Sequence, residues 1–370
     1  MRHDFSLSYP NPVIFGNGAL SKLPSVLPPK SKVLLVTGRH AQKSGLQKTA
    51  LDALAPFNVV TVEGVSPEPP LSEVDKLIRE CRREHVTAVV AAGGGSVIDA
   101  AKAAAALAPS EAQSVKEVFD GLKEITGRGL FFIAAPTTAG TGAEITMNSV
   151  LTDPETKIKK SIRHPAMIPD AAVIDPLLTV SCPPGLTAAS GLDALTQAVE
   201  SLITPGANPA SAALAERAIK LILESLPKAF REPGNIDART GMAEGSLLSA
   251  MSFSQCGLGA VHALAHPVGS LLGVPHGLAC AILLVPVLRF NRPACEKEMA
   301  GLSKLTGGAD FVSVVETLRA ELGVPDSFSS YKLDKSQFPF IIKNCRSGSM
   351  KCNPRQMSDA EAGELLSGLL

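Results

Sequence analysis

Three of the seven histidines of this chain, His262, His266 and His276, fall in a stretch from 245 to 288 that contains no Asp, Glu, Lys or Arg. Imidazole nitrogens set among apolar side chains are donors that a divalent transition metal accepts readily. His262 and His266 stand four residues apart, one helical turn, and His276 returns after a Gly/Pro turn. Upstream, GLDALTQAVES gives Asp193 and Gln197 the same four-residue spacing, which puts both on one helix face. One carboxylate and two imidazoles leave coordination positions open, as a catalytic Zn2+ or Fe2+ site requires and a closed structural site does not. The same residues also have a plainer reading. Histidines are often hydrogen-bonded parts of a core, and Asp193 suits the first turn of a helix.

A second kind of chemistry is suggested by VTAVVAAGGGSVIDAAKAAAALA, which reads as a strand, a Gly93–Gly94–Gly95 turn and a helix that Ser96 can cap. Glycines let backbone N–H groups approach an oxyanion closely, and a helix start turns partial positive charge toward it. A capping box of Ser96 with Asp99 would account for the same residues without a ligand. The turn is neither a GxGxxG fingerprint nor a nucleotide triphosphatase loop. APTTAGTGAE (135 to 144) also follows a strand and brings Thr137, Thr138 and Thr141 together with two glycines. Two such loops at one sheet edge suit a dinucleotide lying across them, since ligands of open α/β sheets sit beyond the carboxyl ends of the strands.

The elements that must carry these residues fall into two textures. KVLLVTG (32 to 38), NVVTVEGV, VTAVVAA, LFFIAAP and AAVID read as strands. KSGLQKTALDALA and LSEVDKLIRECRREH read as helices between them, the latter with Leu71, Val74, Ile78 and Cys81 on one face, and SPEPP is a turn. This rhythm predicts a parallel, doubly wound, Rossmann-like sheet. Past Leu177 the spacing is helical throughout, so an all-α domain is expected to follow. Pro176, Pro183, Pro184 and Gly185 mark the join, which we place at 178/179, giving domains 1–178 and 179–370. Two domains also suit 370 residues, since single cores stop growing beyond roughly 250 to 300.

Composition narrows the function. With 35 basic and 35 acidic residues there is no overall field for nucleic acid or an anionic membrane. The uncharged stretch is long enough for a membrane span, but Pro267, Pro275, Pro286 and five glycines are expected to break it into short helices inside a soluble domain. MRHDFSLSYPNP lacks the apolar core of a signal peptide, so a cytoplasmic protein is expected. The seven cysteines form no CxxC pair and read as reduced thiols, each a small buried hydrophobe rather than a nucleophile.

Taken together, NPVIFGNGAL, GGGSVIDAAKA, PTTAGTGAEIT, GLDALTQAVES, HALAHPVGSLLGVPHG and the NPR of 353 to 355 resemble the iron-containing, or group III, alcohol dehydrogenase family over almost the whole chain. The resemblance implies an α/β nucleotide domain followed by an all-helical metal domain. It also implies hydride transfer, in a cleft between them, between NAD(P) and a small alcohol, aldehyde or ketone whose oxygen a divalent metal polarises. Gly94, Gly95 and Ser96 would hold the pyrophosphate, supported by Asp99, and Thr137, Thr138, Thr141, Asn148 and Lys159 would line the dinucleotide. Asp193, His262 and His276 would ligate the metal, with Gln197 adjacent or weakly bound. His266 would orient the substrate or relay a proton. A homodimer or larger assembly is implied as well.

Two departures from the family pattern bear on this. Many members have histidine where this chain has Gln197, and an amide oxygen is a much poorer donor than imidazole, which leaves Fe2+ and Zn2+ both open. After the first long strand, Gly38 and Arg39 stand where NAD-preferring relatives often carry an acid, which favours NADP over NAD. The rival readings are a lyase like dehydroquinate synthase, a glycerol dehydrogenase-like enzyme and a non-enzymatic binding module. The lyase would need several Lys and Arg around its metal, and the stretch from 245 to 288 supplies none.

Overall fold

The structure is a computed structural model, and it describes residues 4–370. The first three residues, which belong to the N-terminal stretch and the first domain discussed above, lie outside the described residues. The chain divides into two compact units, Tyr9–Cys182 and Pro183–Leu370. The division falls a few residues beyond the expected 178/179, among the same prolines. The segment leading up to Ser8 groups with the second unit rather than the first. Its tie is a reciprocal pair of hydrogen bonds, Ser8 N–H to Gln255 Oε1 at 3.1 Å and Gln255 Nε2 to the Ser8 carbonyl at 3.0 Å.

In the first unit, eight strands form: β1 (Val13–Phe15), β2 (Lys32–Gly38), β3 (Asn58–Val65), β4 (Ala88–Gly93), β5 (Phe131–Pro136), β6 (Asn148–Asp153), β7 (Ile158–Arg163) and β8 (Ala171–Ile174). Six of them make one sheet in the order β1-β8-β5-β4-β2-β3, every pairing parallel. β6 and β7 pair antiparallel as a separate ribbon. Side chains along β2 alternate between two cores. Val33 and Leu35 pack with Leu20, Leu23, Ala50 and Leu54 on one face, while Leu34 and Val36 pack with Val74, Leu77, Ile78 and Ile98 on the other. Burial on both faces explains the near-continuous apolar runs of β2 and β4, each buried side chain contributing about 1.5–3 kcal/mol. Strand order reverses at β2 and β4, since β3 adds on one side of β2 and β4, β5 and β8 on the other. The loops leaving β2 and β4 therefore flank the switch point of the sheet.

The second unit contains no strand among the described residues. Its long helices are Pro184–Ile203, Pro209–Arg231, Ile236–Cys256, Ala260–Leu272 and His276–Asn291, followed by shorter ones to the end of the chain. The expectation that every proline of the uncharged stretch breaks a helix is corrected here. Pro267 and Pro286 lie inside helices, and the breaks come at Gly257, with φ 90°, and at Gly273, with φ 69°, followed by Pro275. A proline removes one N–H, which a helix packed on its sides tolerates; a left-handed glycine ends the helix outright. The segment His276–Ala294 is long and apolar enough to cross a bilayer. Every residue from Ala279 to Val285 is nevertheless buried within the unit, as a core helix requires.

Candidate metal and cofactor sites

In the second unit the helix Pro184–Ile203 presents Asp193, Gln197 and Glu200 at spacings of one and two turns, all nearly inaccessible to solvent. The helix Ala260–Leu272 brings His262 to them: its Nε2 lies 3.3 Å from Asp193 Oδ1, and its Nδ1 lies 2.7 Å from Glu200 Oε2. His276 opens the next helix, with its Nε2 4.0 Å from the same Asp193 oxygen. Cys280, one turn further, places Sγ 3.7 Å from His276 Nε2. One donor atom each from Asp193, His262, His276 and Cys280 falls within 4.8 Å of all the others.

Glycines make this convergence possible. A Cβ on Gly277 would come within 2.5 Å of the Ala189 carbonyl, so the two donor helices touch backbone to backbone just before Asp193. A Cβ on Gly259 would lie 2.8 Å from Glu200 Oε1 and 3.0 Å from Asn353 Oδ1. Those two oxygens accept the Val261 and Ala260 N–H groups, at 2.7 and 3.1 Å, and so cap the His262 helix from outside. Asn353, from the NPR segment, is itself locked to Asn291 by a reciprocal amide pair.

The expected ligands Asp193, His262 and His276 are thus brought together. His266 is not in the donor group; it stacks on His276 at 4.9 Å between ring centroids, with 23° between the rings. Gln197 is buried, and its Oε1 finds no hydrogen-bond donor among the described residues. Two participants escaped the sequence reading. Glu200 lies seven residues after Asp193, on the same face, and that spacing was a usable signal. Cys280 has the character of a small buried hydrophobe, and its spacing of four from His276 is the signal that links it to the donors. All seven cysteines are free thiols.

The electrostatics of the cluster favour a cation. Burial by itself opposes a charge on His262, but the Cys280 sulfur, Asp193 and Glu200 outweigh it and lift the imidazole well above its usual range. Burial pushes the Cys280 thiol itself up to about 12. The donors therefore suit a divalent ion: a carboxylate, two imidazoles and a sulfur meet, one imidazole is oriented by a carboxylate behind it, and a buried amide oxygen has no partner.

In the first unit the glycine turn and the threonine loop adjoin. Thr137 N–H donates to the Gly93 carbonyl at 3.0 Å. A Cβ on Gly95 would fall 2.5 Å from Thr141 Oγ1, whereas one on Gly94 would meet Thr138 at 3.7 Å, an ordinary contact. A Cβ on Gly38 would approach Val97 at 3.3 Å, so the end of β2 closes over the same helix. Capping of that helix by Ser96 is corrected. The helix runs Gly95–Leu107 with Gly94 as its cap residue, and Ser96 Oγ instead accepts the Glu68 N–H at 3.1 Å. Asp99 forms no capping box either; its carboxylate accepts the Val150 N–H at 3.2 Å, tying the helix to β6. Gly94 fills the cap position with extended backbone, which leaves the serine two residues too late.

Lys159 of β7 pairs with Glu68 at 2.7 Å, and Asn148 of β6 offers its carbonyl to Lys102 at 2.8 Å. Lys102, fully buried, also donates to the carbonyls of Ala143 and Thr146 at 2.5 and 2.7 Å, stapling the threonine loop to the glycine-turn helix. Burial pushes Asp99 up to about 6 and Glu144 up to about 7, and lowers Lys102 to about 8. Lys102 and Glu144 went unnoticed in the sequence because a buried ion cluster leaves no local pattern. Arg39 is exposed, with its Nε 3.4 Å from the Gly64 carbonyl.

Residues 10–176 match the family described as iron-containing alcohol dehydrogenase, and residues 187–370 match its C-terminal domain. The chain belongs to this family. It is 35% identical to 1,3-propanediol dehydrogenase of Citrobacter freundii, over 98% of this chain and 97% of that one. It is 32% identical to NADPH-dependent butanol dehydrogenase of Clostridium saccharobutylicum, over 95% and 94%. Among solved structures, 1,3-propanediol oxidoreductase superposes with a TM-score of 0.93 at 33% identity, covering 100% of both chains. Sulfoacetaldehyde reductase from Bifidobacterium kashiwanohense, in complex with NAD+, gives 0.92 at 29% identity, covering 100% and 99%. This family member is an NAD(P)-dependent oxidoreductase acting on the CH–OH group, and the two-domain architecture expected from its sequence is the one it has.

Proposed function

We propose that the protein catalyses the reversible reduction of a small aldehyde or ketone to an alcohol, with NADP(H) preferred and a divalent ion, Fe2+ or Zn2+, held by Asp193, His262 and His276. The convergence of these three donors in a buried cluster carries the reading. When bound, the ion supplies Lewis acidity toward the substrate oxygen and the reduced nicotinamide supplies hydride from C4. Glu200 fixes the His262 ring so that Nε2 keeps its lone pair for the ion. His266, stacked on His276, orients the substrate or passes a proton to the product oxygen.

Gly94, Gly95 and Ser96 would hold the pyrophosphate through their backbone, while Asp99 and Lys102 hold the turn and the threonine loop in place. Thr137, Thr138, Thr141, Asn148 and Lys159 line the dinucleotide. Gly38 lets the end of β2 close against Val97, and the exposed guanidinium of Arg39 suits a 2′-phosphate. Relatives named for NADPH and solved with NAD+ both occur, so this preference rests on Arg39 itself. We place the enzyme in the cytoplasm, as a homodimer or larger assembly.

The test is His276→Ala, assayed with an aldehyde panel and both coenzymes. Metal-dependent turnover should vanish while coenzyme binding by calorimetry persists, and in the parent kcat/KM should be higher with NADPH than with NADH. Full activity in the variant would overturn the metal site, and equal coenzyme preference would overturn the role of Arg39.

A further inference from the structure

Donors on one ion at the usual 2.0–2.3 Å lie roughly 3.3–3.7 Å apart at tetrahedral angles, and further apart at wider ones. The separations here are 3.3 Å from His262 to Asp193, 3.7 Å from Cys280 to His276 and 4.0 Å from His276 to Asp193, so Cys280 fits that polyhedron as well as the histidines do. We propose that Cys280, not Gln197, supplies the fourth protein donor, and that the resulting O, N, N, S set, expanding to five donors when a substrate oxygen joins it, makes this a zinc site in preference to an iron one. The inference rests on the metal site proposed above and deepens it.

Chemistry supports the assignment. Gln197 offers a neutral amide oxygen, the weakest donor in the neighbourhood, whereas a thiolate is soft and anionic and selects zinc over Fe2+. Asp193 and a Cys280 thiolate together neutralise a 2+ ion within the donor cluster. Binding breaks the S–H bond and forms a sulfur–metal bond, and the proton leaves to solvent; nothing is oxidised or reduced. Position supports it too: Cys280 is a turn along from His276 on a helix pinned by the Gly277–Ala189 contact, so its sulfur reaches the donor cluster without any movement of the backbone.

The experiment titrates Co2+ into metal-stripped full-length protein and reads its spectrum, with no assay of turnover. The parent should show visible d–d bands together with a near-ultraviolet thiolate-to-cobalt charge-transfer band. That band should be lost in Cys280→Ser and retained in Gln197→Ala. In competition against a chelator, Cys280→Ser should lose more Zn2+ affinity than the about 10–100-fold that outer-shell changes cause, and should bind Zn2+ over Fe2+ less selectively than the parent. Cys280→Ala, with circular dichroism, controls for folding. Visible bands without charge transfer in the parent, or charge transfer surviving in Cys280→Ser, would overturn the role of Cys280 while leaving the site intact. No cobalt binding at all would overturn the metal site and this inference with it.

Discussion

Glu200 shows how much of a metal site lies behind its ligands. One of its oxygens accepts from the Val261 N–H and the other faces His262 Nδ1, so a single carboxylate both caps a helix and sets a tautomer. Glu200→Gln cannot do both. Its amide has one acceptor and one donor, whereas the two groups it meets are both N–H donors when Nε2 is free to bind a metal. Either the helix amide loses its partner or the imidazole turns its proton toward the ion. We expect Zn2+ or Fe2+ affinity to fall about 10–100-fold, read by chelator competition, with native-like circular dichroism. Unchanged affinity would remove Glu200 from the site. The types and spacing of Asp193, His262 and His276 point to the donors that converge in the structure, but Glu200 and Cys280 act through tertiary contacts, and on sequence they look like a helix-surface acid and a core thiol.

At the level of elements, strands were legible where β-branched runs met a turn. β2 and β3 have the limits their residues suggest: β2 because burial on both faces demands an unbroken apolar run, and β3, a half-buried edge strand, because its β-branched run ends at turns. Caps were less legible. Ser96 looks like an N-cap by composition, yet the chain enters the helix two residues earlier, with Gly94 at the cap and Gly95 at the first helical position. The contact between that turn and the threonine loop predicts a contrast. Gly95→Ala drives a methyl into Thr141 and should cost about 1–3 kcal/mol, with a lower Tm and a raised coenzyme KM. Gly94→Ala has room in the fold and should leave Tm nearly unchanged, while raising coenzyme KM if the backbone there meets a phosphate. Equal stability of the two variants would refute the packing argument.

Over the whole molecule, stability should depend on pH through ions buried far from the metal donors in sequence. The folded Glu144 carboxyl titrates at about 7, above its ordinary 4.5, so its contribution is complete below pH 4.5 and is lost as pH rises to 7. Glu144→Gln imitates the uncharged form. Its Tm should run parallel to the parent below pH 4.5 and exceed it above pH 7 by a few degrees, about 1–2 kcal/mol. A difference that does not change with pH would show that Glu144 titrates normally. The division into an α/β unit and a helical unit was legible from texture alone. That the segment up to Ser8 joins the helical unit was not, because one reciprocal hydrogen-bond pair between distant residues has no sequence signature.

The amide of Asn353 anchors the first turn of a helix that begins more than ninety positions earlier. Every donor atom, from Asp193 to Cys280, leaves the ribosome well before that anchor does. A nascent chain would therefore carry the proposed ligands on a helix whose first turn still lacks its anchor, and their final geometry would be reached only when synthesis is nearly over. Loading of the proposed ion is accordingly expected late in maturation, set by a residue outside the donor group.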